Sequence, residues 1–153
     1  MTNNDLSALR ELLDQLQFQL IEPVKFGRSD PKSTAAKVRI PTAAATYFNI
    51  LAVTDLGGRP GPERQEGLVE QVVAAAFQTF AGQDPHPSPF DKAAMILRGI
   101  IQGHPFMDGN KRTGFLSAVY YLDRVGYKLR PDRSQSEIVS FCRGVSTGEI
   151  RDL

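Results

Sequence analysis

From Leu6 the apolar positions recur as Leu9, Leu12, Leu13, Leu16 and Leu20, the three-and-four spacing of an amphipathic helix. That helix should stop before Pro23. The following stretch, 23–36, holds two prolines, a glycine and several small polar residues, which reads as a connector. The pattern divides the chain into an N-terminal helix and connector over 1–36 and a main domain over 37–153. Lys37 to Ile40 suggests a short strand. Pro41 and Thr42 then supply a helix start for a segment ending near Leu56.

The run Gly57 to Gly67 (GGRPGPERQEG) has four glycines and two prolines, so it is expected to be a loop, and loops of this length inside small domains are usually functional. Leu68, Val69, Val72, Val73, Ala76, Phe77 and Phe80 predict a further amphipathic helix, closed by Gly82. After the Pro-rich loop Gln83 to Pro89, a helix opening at Phe90 or Asp91 carries Ala93, Ala94, Ile96, Leu97, Ile100 and Ile101. It is apolar around much of its circumference, which makes it central. Lys111 to Val125 repeats the pattern with Phe115, Leu116, Val119, Tyr120 and Leu122, and Gly126 closes it. A short helix from Ser136 to Cys142 follows the Pro131 to Arg133 turn. The expected architecture is an all-α bundle of about six helices.

Composition narrows the setting. The 153 residues suit one domain with a conventional core. Eighteen Lys and Arg against 17 Asp and Glu give a net charge of +1, too balanced for direct nucleic-acid binding or membrane adhesion through bulk charge. One cysteine, Cys142, excludes an internal disulfide, and two histidines without Cys partners argue against structural zinc. No apolar run approaches a membrane span, and the N-terminus lacks the basic start and apolar run of a signal peptide. A cytoplasmic protein is expected.

Chemistry concentrates between the two most apolar helices, in His104-Pro105-Phe106-Met107-Asp108-Gly109-Asn110-Lys111-Arg112. A helix beginning near Asn110 offers unpaired N–H groups and a partial positive charge. Lys111 and Arg112 add full positive charges at the end where they are electrostatically unfavourable, unless an anion compensates. Gly109 permits close approach of a phosphate to the backbone. Asp108 is a hard oxygen ligand of the kind that holds Mg²⁺ together with substrate phosphates. His104 supplies an imidazole, the side chain suited to accept a proton from a hydroxyl at neutral pH. Taken singly, each has an ordinary structural use: His104 as a C-cap, Asp108 or Asn110 as an N-cap, Lys111 and Arg112 as a solvated helix start. Their co-occurrence points instead to phosphoryl or nucleotidyl transfer.

HPFMDGNKR resembles the signature loop of the Fic/Doc (Fido) family: His, any residue, Phe, any residue, acid, Gly or Ala, Asn, Gly or Lys, Arg. GGRPGPERQEGLVEQVVAAAF and FDKAAMILRGIIQGHPFMDGNKRTGF are similar in order and spacing to the death-on-curing (Doc) branch, so the likeness covers roughly Val38 to Arg130. The resemblance implies a compact helical bundle whose central pair flanks the loop. It implies that His104 activates a target hydroxyl, Phe106 anchors the loop, Asp108 binds Mg²⁺, and Gly109, Asn110, Lys111 and Arg112 hold the phosphates of ATP. Arg64 lies where Doc-like sequences often carry an arginine, and the resemblance gives it a target-contact role.

Two departures bear on the activity. AMP-transferring members usually have Gly after the Asn and a second Arg three residues beyond the first; here those positions hold Lys111 and Phe115. The Doc pattern implies transfer of the ATP γ-phosphate to a translation factor such as elongation factor Tu, with control by a separate antitoxin protein. Gly109 and Pro105 are closer to the AMP-transferring relatives, so protein AMP transfer is the alternative. A catalytically silent binding module is a third. The self-inhibitory pattern of some relatives is incomplete, because Leu12 follows Ser7 to Glu11 where Gly or Asn belongs and Phe115 cannot pair with a glutamate.

Overall fold

The computed structural model describes residues 39–55, 57–59, 61–128 and 134–151. They form five helices: α1 (Thr42–Asp55), α2 (Leu68–Ala75), α3 (Pro89–Gly103), α4 (Asn110–Arg124) and α5 (Gln135–Thr147). The all-α expectation holds, and no strand occurs among the described residues. The helix expected at Leu6 to Leu20 and the connector at 23–36 lie outside them. Of the strand expected at Lys37 to Ile40, only Arg39 and Ile40 are described. They belong to no strand; with no sheet among the described residues to join, Ile40 is buried against the helices.

α3 and α4 make the most extensive contact, with α1 packed on α4, α2 on α3, and α5 against both central helices. Ile96, Ile100 and Ile101 of α3 meet Leu116 and Tyr121 of α4 in a fully buried layer that Phe48 of α1 completes. The close approach of the central pair depends on Gly114. A Cβ there would stand 2.9 Å from Ile101 Cγ1 and 3.2 Å from the Leu97 carbonyl oxygen.

Local chemistry sets the helix ends. Ser88 and Asp91 form a capping box at the start of α3, with Pro89 in the first turn, so the helix begins one or two residues before the apolar pattern alone suggests. Ser134 and Glu137 cap α5 in the same way. That helix runs to Thr147, well past Cys142: Gly144 is accommodated inside it by close packing of Ile150, and Gly148 with φ 78° ends it.

α2 stops at Ala75, short of the expected Phe80. There the buried Lys92 reaches over from α3, donating to the Ala76 carbonyl at 3.3 Å and to Asp84 Oδ2 at 2.5 Å. Phe77 turns inward against Tyr121, ring centroids 5.6 Å apart. These distant partners draw the chain off the helical path. Burial pushes the Cys142 thiol up to about 11, which leaves it a core residue without thiolate character.

Replacing Gly114 by Ala should be destabilising by about 1–3 kcal/mol, the usual scale of overpacking, despite the better helix propensity of alanine. Thermal and urea unfolding measure it; unchanged or raised stability would mean that α3 can retreat from α4 at no cost.

Candidate anion-binding and transfer site

α3 ends and α4 begins at opposite edges of one short loop, so the loop's residues are held between two buried helices. His104 caps α3 in the left-handed region at φ 45°, an uncommon conformation for a non-glycine residue. Its side chain is exposed and has no hydrogen-bond partner among the described residues. Pro105 and Phe106 then turn into the core, Phe106 to 3 % exposure, while Met107 is 63 % exposed on the outside. Asp108 and Gly109 bring the chain to the start of α4.

His104, Met107, Asp108, Gly109, Asn110, Lys111 and Arg112 line an open cleft of about 320 Å³. At its floor α4 starts without a side-chain cap and without an acidic residue in its first turn; Gly109 at φ 75° precedes it. Substitution at Gly109 would be resisted twice over, by the left-handed backbone and by Val53 Cγ1, which a Cβ would meet at 3.0 Å. The first turn therefore presents unpaired N–H groups, the Lys111 ammonium and the Arg112 guanidinium, against a single carboxylate.

The individual residues divide into those that face the cleft and those that hold it. Lys111 is exposed. Arg112 points its Nη1 at the Gly57 carbonyl, 2.8 Å away, and at the Ala52 carbonyl, 3.4 Å away, so part of its hydrogen-bonding fork ties down the glycine-rich loop. Asn110 is buried, and its amide clasps the backbone of Phe106: Oδ1 accepts from the Phe106 N–H and Nδ2 donates to the Phe106 carbonyl, both at 3.0 Å. That side chain fixes the loop's shape, and only the position of its backbone remains for a ligand. Arg64 is exposed and lies outside the cleft lining. Its backbone N–H donates to the Pro105 carbonyl at 2.8 Å, beside an antiparallel bridge between Glu63 and Phe106.

Several supporting residues escaped the sequence reading. Asn49 of α1 donates from Nδ2 to the Asp108 carbonyl at 2.8 Å and to Thr113 Oγ1 at 3.1 Å. A buried Asn inside the apolar run Tyr47-Phe48-Asn49-Ile50-Leu51 was the only available signal. Glu63 accepts from the N–H groups of Gly67 and Val69, capping α2 from outside the helix; those bonds hold its carboxyl below the usual range, Val69 first. Arg59 donates its backbone N–H to Asp108 Oδ2 at 3.0 Å.

The Asp108 carboxyl lies below its ordinary 3.8, chiefly because the Arg59 N–H and then the Gly109 N–H donate to it, with the charges of Arg112 and Arg59 adding to the effect. It stands ionised in the cleft at neutral pH. Among the described residues no cluster of three or more His, Cys, Asp or Glu is placed to hold a metal ion, and no helix is long and apolar enough to cross a membrane.

A helical bundle whose two central helices meet at a His-to-Arg loop, with a cationic helix start below it, defines a class. The chain belongs to the Fic/DOC family, whose model matches residues 13–122. It is similar to Toxin Doc of Mycolicibacterium smegmatis, 38% identical over 69 residues that cover 45% of this chain and 53% of that protein. It is also similar to Protein kinase doc of Escherichia phage P1, 31% identical over 102 residues covering 64% of this chain and 74% of that protein. The chain thus spans about half the length of the first relative and three quarters of the second.

The lowered carboxyl of Asp108 has a consequence for stability. A carboxyl with a folded-state pKa below its unfolded value stabilises the fold above the unfolded value, and that contribution disappears as pH falls through the folded one. Wild-type protein should therefore lose more stability than Asp108→Asn on going from about pH 5 to about pH 2.5 in urea melts. Parallel losses would show that the Arg59 and Gly109 bonds do not favour the ionised form.

Proposed function

We propose that this protein is a Doc-like toxin of a toxin–antitoxin pair, a transferase that moves the γ-phosphate of ATP to a hydroxyl on a protein target. The observation that carries the reading is the concentration of positive charge on the uncapped first turn of α4, opposed by one ionised carboxylate and open to solvent. A polyphosphate with a divalent ion complements that pattern in sign and size.

The donor set suits Mg²⁺ arriving with its phosphates. One exposed carboxylate, Asp108, borders the cleft, with no all-protein cage among the described residues, and Mg²⁺ commonly takes one or two carboxylates, with phosphates and water completing its shell. Bound there, the ion would neutralise phosphate charge. The protein's own groups do the remaining work. Lys111, the free part of the Arg112 fork and the backbone at Gly109 and Asn110 bind and orient the phosphates. The His104 imidazole takes the proton from the target hydroxyl as its oxygen bonds to the γ-phosphorus; the bond from that phosphorus to the β–γ bridging oxygen breaks, and ADP leaves.

Lys111 and Phe115 favour γ-phosphate transfer. Phe115 is buried in the core, so α4 offers no second guanidinium one turn beyond Arg112. The name Protein kinase doc carried by one relative points the same way. AMP transfer, in which the α-phosphorus is attacked and pyrophosphate leaves, is favoured by two features, the left-handed glycine at 109 and Pro105. A translation factor such as elongation factor Tu as target, and an antitoxin whose tail folds as a helix into a groove of this domain, complete the reading.

Incubating the protein with a target lysate and ATP labelled at either the α or the γ position separates the two transfers. Label should pass to protein from the γ position only; transfer from α alone would establish AMP transfer. His104→Ala should lower the rate by at least about 10²-fold while binding MgATP as the parent does. If His104→Ala is as toxic on expression as the parent, the protein is a binding module instead.

A further inference from the structure

The cleft's floor is shaped by a residue from another part of the chain. We propose that Asn49 is a positioning residue for the phosphate-binding turn, setting the direction in which the peptide between Asp108 and Gly109 faces. The inference rests on the nucleotide reading above. It concerns the one peptide group that both starts α4 and borders the Asp108 carboxylate.

In a trans peptide the carbonyl and the N–H point in opposite directions. Asn49 Nδ2 holds the Asp108 carbonyl oxygen at 2.8 Å on the α1 side. The N–H of Gly109, the other end of the same peptide, is thereby turned away from α1, and it donates to Asp108 Oδ1 at 2.7 Å. A single hydrogen bond therefore fixes the orientation of a cleft-lining N–H and, through it, the carboxylate beside it. The anchor itself cannot drift: Asn49 is 4 % exposed, and the same Nδ2 also donates to the fully buried Thr113 Oγ1 at 3.1 Å. Val53, one turn along α1, packs beside the same turn, its Cγ1 3.0 Å from where a Gly109 Cβ would stand.

A merely structural asparagine would act through its contact with Thr113, tying α1 to α4. A positioning asparagine acts through the Asp108 carbonyl. The Thr113 bond can be removed on its own. Thr113→Val deletes the first and leaves the second. Asn49→Leu deletes both and leaves the Thr113 hydroxyl buried without its partner, a destabilising change. The double variant Asn49→Leu/Thr113→Val replaces both partners by apolar groups of similar shape, which restores much of the stability.

The test combines calorimetric binding of MgATP with the backbone amide signal of Gly109 by NMR, alongside thermal unfolding. Thr113→Val should bind MgATP within about twofold of wild type and leave the Gly109 amide near its position, whereas Asn49→Leu and the double variant should bind about tenfold more weakly, the scale of one net hydrogen bond, with the Gly109 amide shifted or broadened. If Asn49→Leu unfolds, the double variant decides. A folded double variant with wild-type affinity and an unmoved Gly109 amide overturns the proposal, as does a Thr113→Val variant as impaired as the double. Where wild-type protein itself fails to bind MgATP, the nucleotide reading falls, and the Gly109 amide still decides the role of Asn49.

Discussion

Positive charge at the start of a helix is held there against the field of the helix itself, and the rest of this structure can be understood as the scaffold for that placement. α4 begins with Gly109 in the left-handed region, no capping side chain, and a lysine and an arginine where acidic residues would be favoured. A solvated helix start would more cheaply carry Ser, Asp or Glu, as α3 and α5 do with their capping boxes. The contrast within one chain argues that the α4 terminus is left open for a ligand to complete.

The turn that delivers this terminus is over-determined. Asn110 clasps Phe106 from within, Asn49 holds the Asp108 carbonyl from α1, and the Arg64 N–H meets the Pro105 carbonyl from the glycine-rich loop. Arg112 and Asp108 reach back to that loop through Gly57 and Arg59. The residues that face the cleft thus share their hydrogen bonds with the segment that borders it, so the position of residues 57–59 and the geometry of the site are physically linked. For the proposed transfer, groups preorganised in this way would need little rearrangement as charge develops.

Much of this was legible in the sequence, and the remainder was not for identifiable reasons. The stripe of Ile96, Ile100 and Ile101 recurs at helical spacing, which depends only on residues one turn apart; on α4 Phe115 and Leu116 were legible in the same way, whereas the fully buried Tyr121 was not. The nine-residue loop declared itself by crowding a histidine, a carboxylate, an amide and two cations together. What stayed hidden depends on partners far along the chain: Asn49 lies 59 residues from Asp108, and the early end of α2 is set by Lys92 and Tyr121, which no local pattern reports. The division of labour within the loop was equally invisible. Sequence lists Asn110 and Lys111 as neighbours of the same polar kind, and only the fold turns one inward onto Phe106 and the other out to solvent.

Under the proposed function, a triphosphate with its divalent ion sits on the first turn of α4. Mapping backbone amide shifts as MgATP is added to purified protein, free of any inhibitor, tests it most directly. The largest changes are expected at Asp108, Gly109, Asn110, Lys111 and Arg112, with smaller ones at residues 57–59. Saturating MgATP that leaves those amides unmoved, or that perturbs a different face of the bundle, would contradict it.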